Sequence, residues 1–112
     1  FENFKENVGD KVEWRQGYSH DILMDLIKEG RKFDFIYVDG SHQGKDVLLD
    51  AMLSDRLLVS GGIMQFDDYL WPAKLPEHHK PKQGIDAFFA LNYENYDIVY
   101  TAYQVCIKKK DQ

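Results

Sequence analysis

The sequence predicts an α/β fold in which helices alternate with the strands of a doubly wound, mostly parallel sheet that ends in an antiparallel strand pair. Strand and helix patterns alternate along most of the chain, which is typical of a parallel sheet with right-handed crossovers. Segment 33–38, Phe-Asp-Phe-Ile-Tyr-Val, is nearly continuous in apolar residues, as expected of a strand covered on both faces. Two further strand patterns, near 96–101 and 103–109, have no helix between them and predict the antiparallel pair.

Periodicity and turn residues place the elements of the first half. Apolar residues recur at helical spacing near the start, so the chain is expected to begin inside a helix. Ser19 is expected to cap a later helix that carries four apolar residues on one face and ends at Gly30. The elements expected here are a helix at 1–8, a strand at 11–15, a helix from 19 to 30 and the strand at 33–38.

The second half continues the alternation. Apolar residues spaced three and four apart predict a helix over 43–57, which Ser60, Gly61 and Gly62 are expected to break. A second buried strand follows at 63–66, and another helix is headed by Ile85. The loop at 70–83 contains three prolines and is longer than most, and loops of this length tend to be functional or disordered.

Composition limits the classes of function. With 112 residues and 44% hydrophobic content, residues 1–112 can form one compact domain. The net charge of -5 and the scattered basic residues argue against nucleic acid as a partner. No stretch has the roughly 20 apolar residues that a membrane span needs. The single Cys106 lies in an apolar strand pattern and is expected to be buried, which favours a reducing, cytoplasmic location.

Polar residues follow three of the predicted strands, in segments 17–19, 39–42 and 67–69. Ligands of an open parallel sheet bind beyond the carboxyl ends of its strands, so these turns are expected to meet at one edge. Asp39, Asp67 and Asp68 offer the hard oxygen ligands that Mg²⁺ prefers. The alternative is that these carboxylates only cap the following turns. His42 is a candidate general base or, equally, a surface residue.

Two segments, 33–42 and 57–69, together resemble the fourth and fifth strands of class I S-adenosylmethionine-dependent methyltransferases. The likeness is greatest to the sugar and macrolide O-methyltransferases that carry Asp-Asp-Tyr and is more distant to the catechol-type enzymes. It implies a Rossmann-like fold, S-adenosylmethionine and a divalent cation, expected to be Mg²⁺, as cofactors, and O-methyl transfer to a small-molecule hydroxyl. The resemblance implies that Asp39, Asp67 and Asp68 hold the metal and that Gly17, Tyr18 and Ser19 border the adenine of the cofactor. Asp39 and Gly40 are also expected at the cofactor, and Asp39 and His42 are the residues expected to act in catalysis.

The sequence departs from that family because no Gly-x-Gly-x-Gly turn follows a strand. By the resemblance, the chain is the C-terminal part of the domain and lacks its first two strands. The isolated 112 residues are therefore expected to bind the cofactor weakly and to be inactive, although the entire protein is expected to be an enzyme. The unpaired edge of strand 33–38 would need a homo-oligomer, a missing N-terminal segment or the strand at 11–15 to cover it. Two alternatives are a non-catalytic interaction module that keeps half of the fold and a metal-dependent hydrolase that uses the three aspartates. The absence of a nucleophile motif from the sequence argues against the hydrolase.

Overall fold

The computed structural model describes residues 15–39, 43–70, 76 and 79–111. Its elements alternate as the sequence predicts, which confirms the α/β class and the antiparallel pair at the end. The predicted helix at 1–8 and nearly all of the predicted strand at 11–15 lie outside the described residues. The elements are, in order, α1 (Ser19–Lys28), β1 (Phe33–Val38), α2 (Gly44–Leu57), β2 (Leu58–Phe66), α3 (Pro81–Asn92), a 3₁₀ turn (Tyr93–Asn95), β3 (Tyr96–Thr101) and β4 (Val105–Lys109).

The four described strands form one sheet in the order β1-β2-β4-β3. Strands β1 and β2 are parallel, with Val38 opposite Phe66 at their carboxyl ends. Strand β4 is antiparallel to both of its neighbours, β2 and β3. Because β1 and β2 end side by side, the polar residues that follow them are brought to the same edge of the sheet.

Alternate residues of the strands form the core with helices α2 and α3. Met64 and Phe66 on β2 are at most 1% exposed, and they pack with buried residues of both helices. The ring of Phe88 on α3 contacts Phe66 at 6.0 Å between centroids and Tyr96 edge-on at 5.5 Å. This aromatic group fixes α3 on the sheet, next to the segment that follows β2.

Two helix ends, the C-terminus of α1 and the N-terminus of α3, follow the local sequence signals. Gly30 adopts φ +72° directly after α1, where the N–H of Gly30 donates to Ile27 O and the N–H of Arg31 donates to Leu26 O. This is the Schellman arrangement, which glycine favours because it has no Cβ. Pro81 is the first residue of α3, a position where its missing N–H costs nothing.

Two expectations about the strands were wrong. Strand β2 begins at Leu58 rather than near 63, so Gly61 and Gly62 lie inside it. Gly61 has φ +81°, and the pairing with β1 is irregular there, so the glycines produce a local distortion without ending the strand. Within the described residues β1 is covered on one face only, because Phe35 and Tyr37 are 52% and 46% exposed.

Cys106 is buried on β4, and burial raises the pKa of its thiol, as expected of a structural cysteine. No helix in the described ranges combines the length and apolar content needed to cross a bilayer.

Candidate functional site

Three carboxylates meet at the carboxyl ends of β1 and β2. Asp39 follows β1 directly, Asp67 and Asp68 follow β2, and the N–H of Asp67 donates to Val38 O across the two strand ends at 3.3 Å. One carboxylate oxygen from each residue lies within 4.8 Å of the other two. The sequence placed these residues at one edge, and the structure brings them together.

Backbone geometry helps to hold Asp68 in this cluster. Asp68 is 9% exposed and has φ +60°, a left-handed conformation that Asp tolerates better than most residues. Its N–H donates to Oδ1 of Asp67 at 2.9 Å. The chain therefore turns sharply after β2 and presents two consecutive carboxylates to the same region.

The turn between β3 and β4 supplies two neutral donors to the carboxylates. The Tyr103 hydroxyl donates to Oδ1 of Asp68 at 2.7 Å, and Nε2 of Gln104 donates to Oδ1 of Asp67 at 3.4 Å. Gln104 is itself held, because its Oε1 accepts from Nε2 of Gln65 at 2.8 Å. Sequence reasoning missed both residues, which lie more than 30 positions from the aspartates.

The negative charge of the cluster changes the acidity of nearby phenols. The hydrogen bond to Asp68, together with desolvation and the charges of Asp67 and Asp39, raises the pKa of Tyr103 to about 12. Desolvation and the neighbouring Asp67 also raise the pKa of Tyr37. Both phenols therefore keep their protons at neutral pH, and Tyr103 remains a donor to Asp68.

The donor set fits a hard divalent cation. Three ionised carboxylates at this separation repel one another, and a cation between them would remove that repulsion. Oxygen ligands of this kind suit Mg²⁺ or Ca²⁺ better than Zn²⁺. Among the described residues, this is the one group of acidic, histidine or cysteine side chains close enough to share an ion.

The turn at 17–19 borders the open space beside this cluster. Gly17 has φ +144°, and Tyr18, which is 76% exposed, stacks on the ring of His20 with centroids 5.7 Å apart. Tyr18 occupies the N-cap position of α1, where its carbonyl accepts from Asp21 and its side chain forms no capping bond.

The expected capping role of Ser19 is wrong. Ser19 is the first residue inside α1, and its hydroxyl donates to Oδ2 of Asp50 on α2 at 2.8 Å. Two cavities share these two residues as lining. One, of about 270 Å³, extends to Val38 and Asp39, and the other, of about 620 Å³, extends to Gly17, Tyr18 and His20. The predicted cofactor turn and Asp39 of the acidic cluster therefore line two cavities that share Ser19 and Asp50.

Two of the predicted site residues, Gly40 and His42, lie outside the described residues. Their proposed roles in cofactor binding and catalysis remain predictions. Asp39, which immediately precedes Gly40, belongs to the acidic cluster and also lines the smaller cavity.

Comparison with known proteins gives a consistent set of relatives. A family model described as "Methyltransferase domain" matches residues 1–69. Caffeoyl-CoA O-methyltransferase 1 of Eucalyptus globulus and caffeoyl-CoA O-methyltransferase of Eucalyptus gunnii are each 39% identical over 70 residues, which are 60% of this chain and 27% of either enzyme. The crystal structure of an O-methyltransferase from Bacillus cereus in complex with SAH superposes with a TM-score of 0.70 at 20% identity, over 93% of this chain and 53% of that one. The chain therefore spans about a quarter of these curated relatives and about half of the solved structure.

Proposed function

Because the chain belongs to the methyltransferase domain family, we propose that the protein transfers a methyl group from S-adenosylmethionine to a hydroxyl oxygen of a small molecule, assisted by a divalent cation. The observation that carries the proposal is the convergence of Asp39, Asp67 and Asp68 beside a cavity that reaches the turn at 17–19. Membership of the methyltransferase domain family supports the methyl-transfer part of the proposal, and the three clustered carboxylates support the part that concerns the cation.

The chemistry is a displacement at carbon. The acceptor oxygen forms a bond to the methyl carbon as the bond from that carbon to sulfur breaks, and the hydroxyl proton is lost to a base or to solvent. The products are a methyl ether and S-adenosylhomocysteine. A bound cation supplies positive charge that lowers the pKa of the acceptor hydroxyl.

The residues of this chain hold and orient the reactants in this proposal. Asp39, Asp67 and Asp68 are the ligands of the cation, and Tyr103 and Gln104 fix two of those carboxylates by hydrogen bonds. The stacked rings of Tyr18 and His20 and the hydroxyl of Ser19 line the larger cavity, where an adenine ring would lie. Correct placement of two reactants is itself a large part of such catalysis.

The test uses the full-length protein and two measurements. Calorimetry is expected to detect S-adenosylhomocysteine binding, and transfer of labelled methyl to a panel of hydroxyl acceptors, including the caffeoyl-CoA named in the plant relatives, is expected to stop on chelation of divalent ions. Asp67→Asn is expected to lower divalent-ion affinity by about tenfold or more, because one of three charged ligands is lost. Asp34→Asn, an exposed change on β1, is the matched control and is expected to have no effect.

Each part of the proposal can fail separately. Methyl transfer that persists in chelator and in Asp67→Asn would exclude cation assistance while leaving the methyltransferase assignment in place. A full-length protein that folds but binds no S-adenosylhomocysteine would instead favour the alternative, a non-catalytic interaction module. That alternative is motivated by the absence of a Gly-x-Gly-x-Gly turn from the 112 residues.

A further inference from the structure

A buried carboxylate on α2 has no place in the chemistry described above. Asp50 is 5% exposed and lies among core residues of α2, with buried Val47 and Ala51 on the same helix. Its Oδ2 accepts the hydrogen bond from Ser19, a residue 31 positions earlier that is exposed at the cavity surface. Burying a carboxylate costs several kcal/mol unless it is well paired, so an apolar residue here would be the more stabilising choice.

We propose that Asp50 is a positioning residue that fixes the direction of the Ser19 hydrogen bond, so that Ser19 can only accept a hydrogen bond from the ligand in the cavity. The ligand group that meets Ser19 is then an N–H donor, and the exocyclic amino group of adenine has that chemistry. This inference rests on the proposed binding of S-adenosylmethionine.

The donors and acceptors available to serine and to a carboxylate fix the direction of this hydrogen bond. A serine hydroxyl has one hydrogen and two lone pairs, whereas a carboxylate has acceptors only. Once the hydrogen of Ser19 is directed at Asp50, only lone pairs remain for the cavity. A neutral partner such as a second hydroxyl could donate as well as accept, and the direction at Ser19 would then be free to reverse.

The groups around Asp50 act on its charge in opposite directions. Desolvation is the largest effect and raises the pKa of Asp50 above its ordinary value, with a smaller contribution from the charge of Asp46, whereas the Ser19 hydrogen bond and the charge of His20 favour the ionised acceptor. Asp50 and Ser19 line both cavities, so the hydrogen bond that joins α1 to α2 lies where the two cavities share lining residues. A site that pairs with a donor rejects ligands that lack one, because its acceptor is left unpaired.

The experiment measures a ratio of affinities in the full-length protein. The two probes are S-adenosylhomocysteine and its analogue with hydrogen in place of the 6-amino group, titrated by calorimetry into each folded variant. The wild-type protein is expected to prefer the amino compound, and Asp50→Ala is expected to reduce that preference about tenfold, the equivalent of one hydrogen bond at about 1.4 kcal/mol per factor of ten. Asp50→Asn is expected to lower the preference as well, though by less than Asp50→Ala, because the amide NH2 of asparagine can donate to Ser19 and reverse the hydrogen bond.

Ser19→Ala provides the second variant and a readout that a merely structural role would not move. It is expected to lose the preference by itself, and Asp50→Ala is expected to have no further effect on the ratio in that background. An unchanged ratio in folded Asp50→Ala overturns the inference, as does an unchanged ratio in Ser19→Ala or a full tenfold effect of Asp50→Ala in the Ser19→Ala background. If Asp50→Ala does not fold, the ratios of Asp50→Asn and Ser19→Ala decide in the same way. Failure of the folded wild-type protein to bind S-adenosylhomocysteine would instead refute the proposed function.

Discussion

Replacement of Gly84 by alanine should separate helices α2 and α3. The two helices are in close backbone contact at Gly44 and Gly84, where a Cβ added to Gly84 would overlap the carbonyl oxygen of Gly44. The same Cβ would lie 2.9 Å from the carbonyl carbon of Gly44 and 3.1 Å from the amide nitrogen of Leu48. All three obstructing atoms belong to the backbone, so no side-chain rotation can relieve the contact.

The sign of the effect makes this prediction sharp. Alanine is a better helix former than glycine by about 1 kcal/mol, so Gly84→Ala would stabilise α3 if the space were free. Carbon atoms pack at about 3.5 to 4.0 Å, so at least one helix must move by about 0.5 Å or more. Such overpacking costs about 1–3 kcal/mol and at times more. Because the obstructing atoms are backbone, we take the upper end of that range, about 3 kcal/mol, which the gain in helix propensity reduces to a net loss of about 2 kcal/mol in the free energy of unfolding.

The assay is urea unfolding followed by far-UV circular dichroism, with the slope of each transition checked for constancy. Ala90→Gly is the matched control, because Ala90 is exposed on the same helix and its replacement changes helix propensity alone. That control is expected to lose about 1 kcal/mol. If Gly84→Ala raises the free energy of unfolding by roughly the amount that Ala90→Gly lowers it, the backbones of α2 and α3 are not in close contact at Gly84 and the reasoning is refuted.

Three further predictions concern single groups. Tyr96→Phe should lower the free energy of unfolding by about 1.5–3 kcal/mol, because the buried hydroxyl of Tyr96 donates to Oδ1 of Asp55 at 2.6 Å. Tyr93 is exposed, so Tyr93→Phe, the control, should change that free energy by less than about 0.5 kcal/mol. The difference in the free energy of unfolding between the wild-type protein and Tyr96→Phe should narrow above pH 10. Burial and that hydrogen bond raise the pKa of Tyr96 in the folded protein above the ordinary value of 10.0, so the unfolded wild-type chain loses the proton first and is stabilised, whereas phenylalanine does not titrate. Tyr103→Phe should weaken divalent-ion binding by about tenfold to a hundredfold in calorimetry of the full-length protein, and an unchanged affinity would remove Tyr103 from the site. Gly30→Ala should lower the free energy of unfolding by about 1 kcal/mol through backbone strain alone, because φ is +72° and no atom lies within 4 Å of the added Cβ. Asn tolerates this left-handed conformation better than Ala, so a smaller loss for Gly30→Asn would support that cause, and equal losses would count against it.

The acidic cluster could be predicted because it depends on local order along the chain. Asp39 and Asp67 each follow an apolar run of strand length, and parallel neighbouring strands end at the same edge. The coverage of β1 could not be predicted in the same way. A continuous apolar run does not state which face has a partner, and Phe35 and Tyr37 are half exposed among the described residues.

The residues that support the site were not predictable, because their partners are distant in sequence. Tyr103 and Gln104 reach the aspartates only because β4 pairs with β2 in a register that sequence patterns do not specify. Asp50 lies between Leu49 and Ala51 in a helix pattern, where a single charged residue would ordinarily face solvent. The assignment of Ser19 as a cap failed for the same reason, since its partner is on another helix.

The order of the strands has a consequence for how the protein is assembled during synthesis. Strand β4 is the last described strand to leave the ribosome, yet it lies between β2 and β3 in the sheet. The parallel pair β1-β2 can form earlier and bring Asp39 next to Asp67. Tyr103 and Gln104 cannot reach the carboxylates until β4 has inserted. In a nascent chain arrested before residue 105, β4 is absent, so Tyr103 and Gln104 would not yet be placed to orient the acidic residues. The candidate metal centre would therefore be among the last parts of the fold to form.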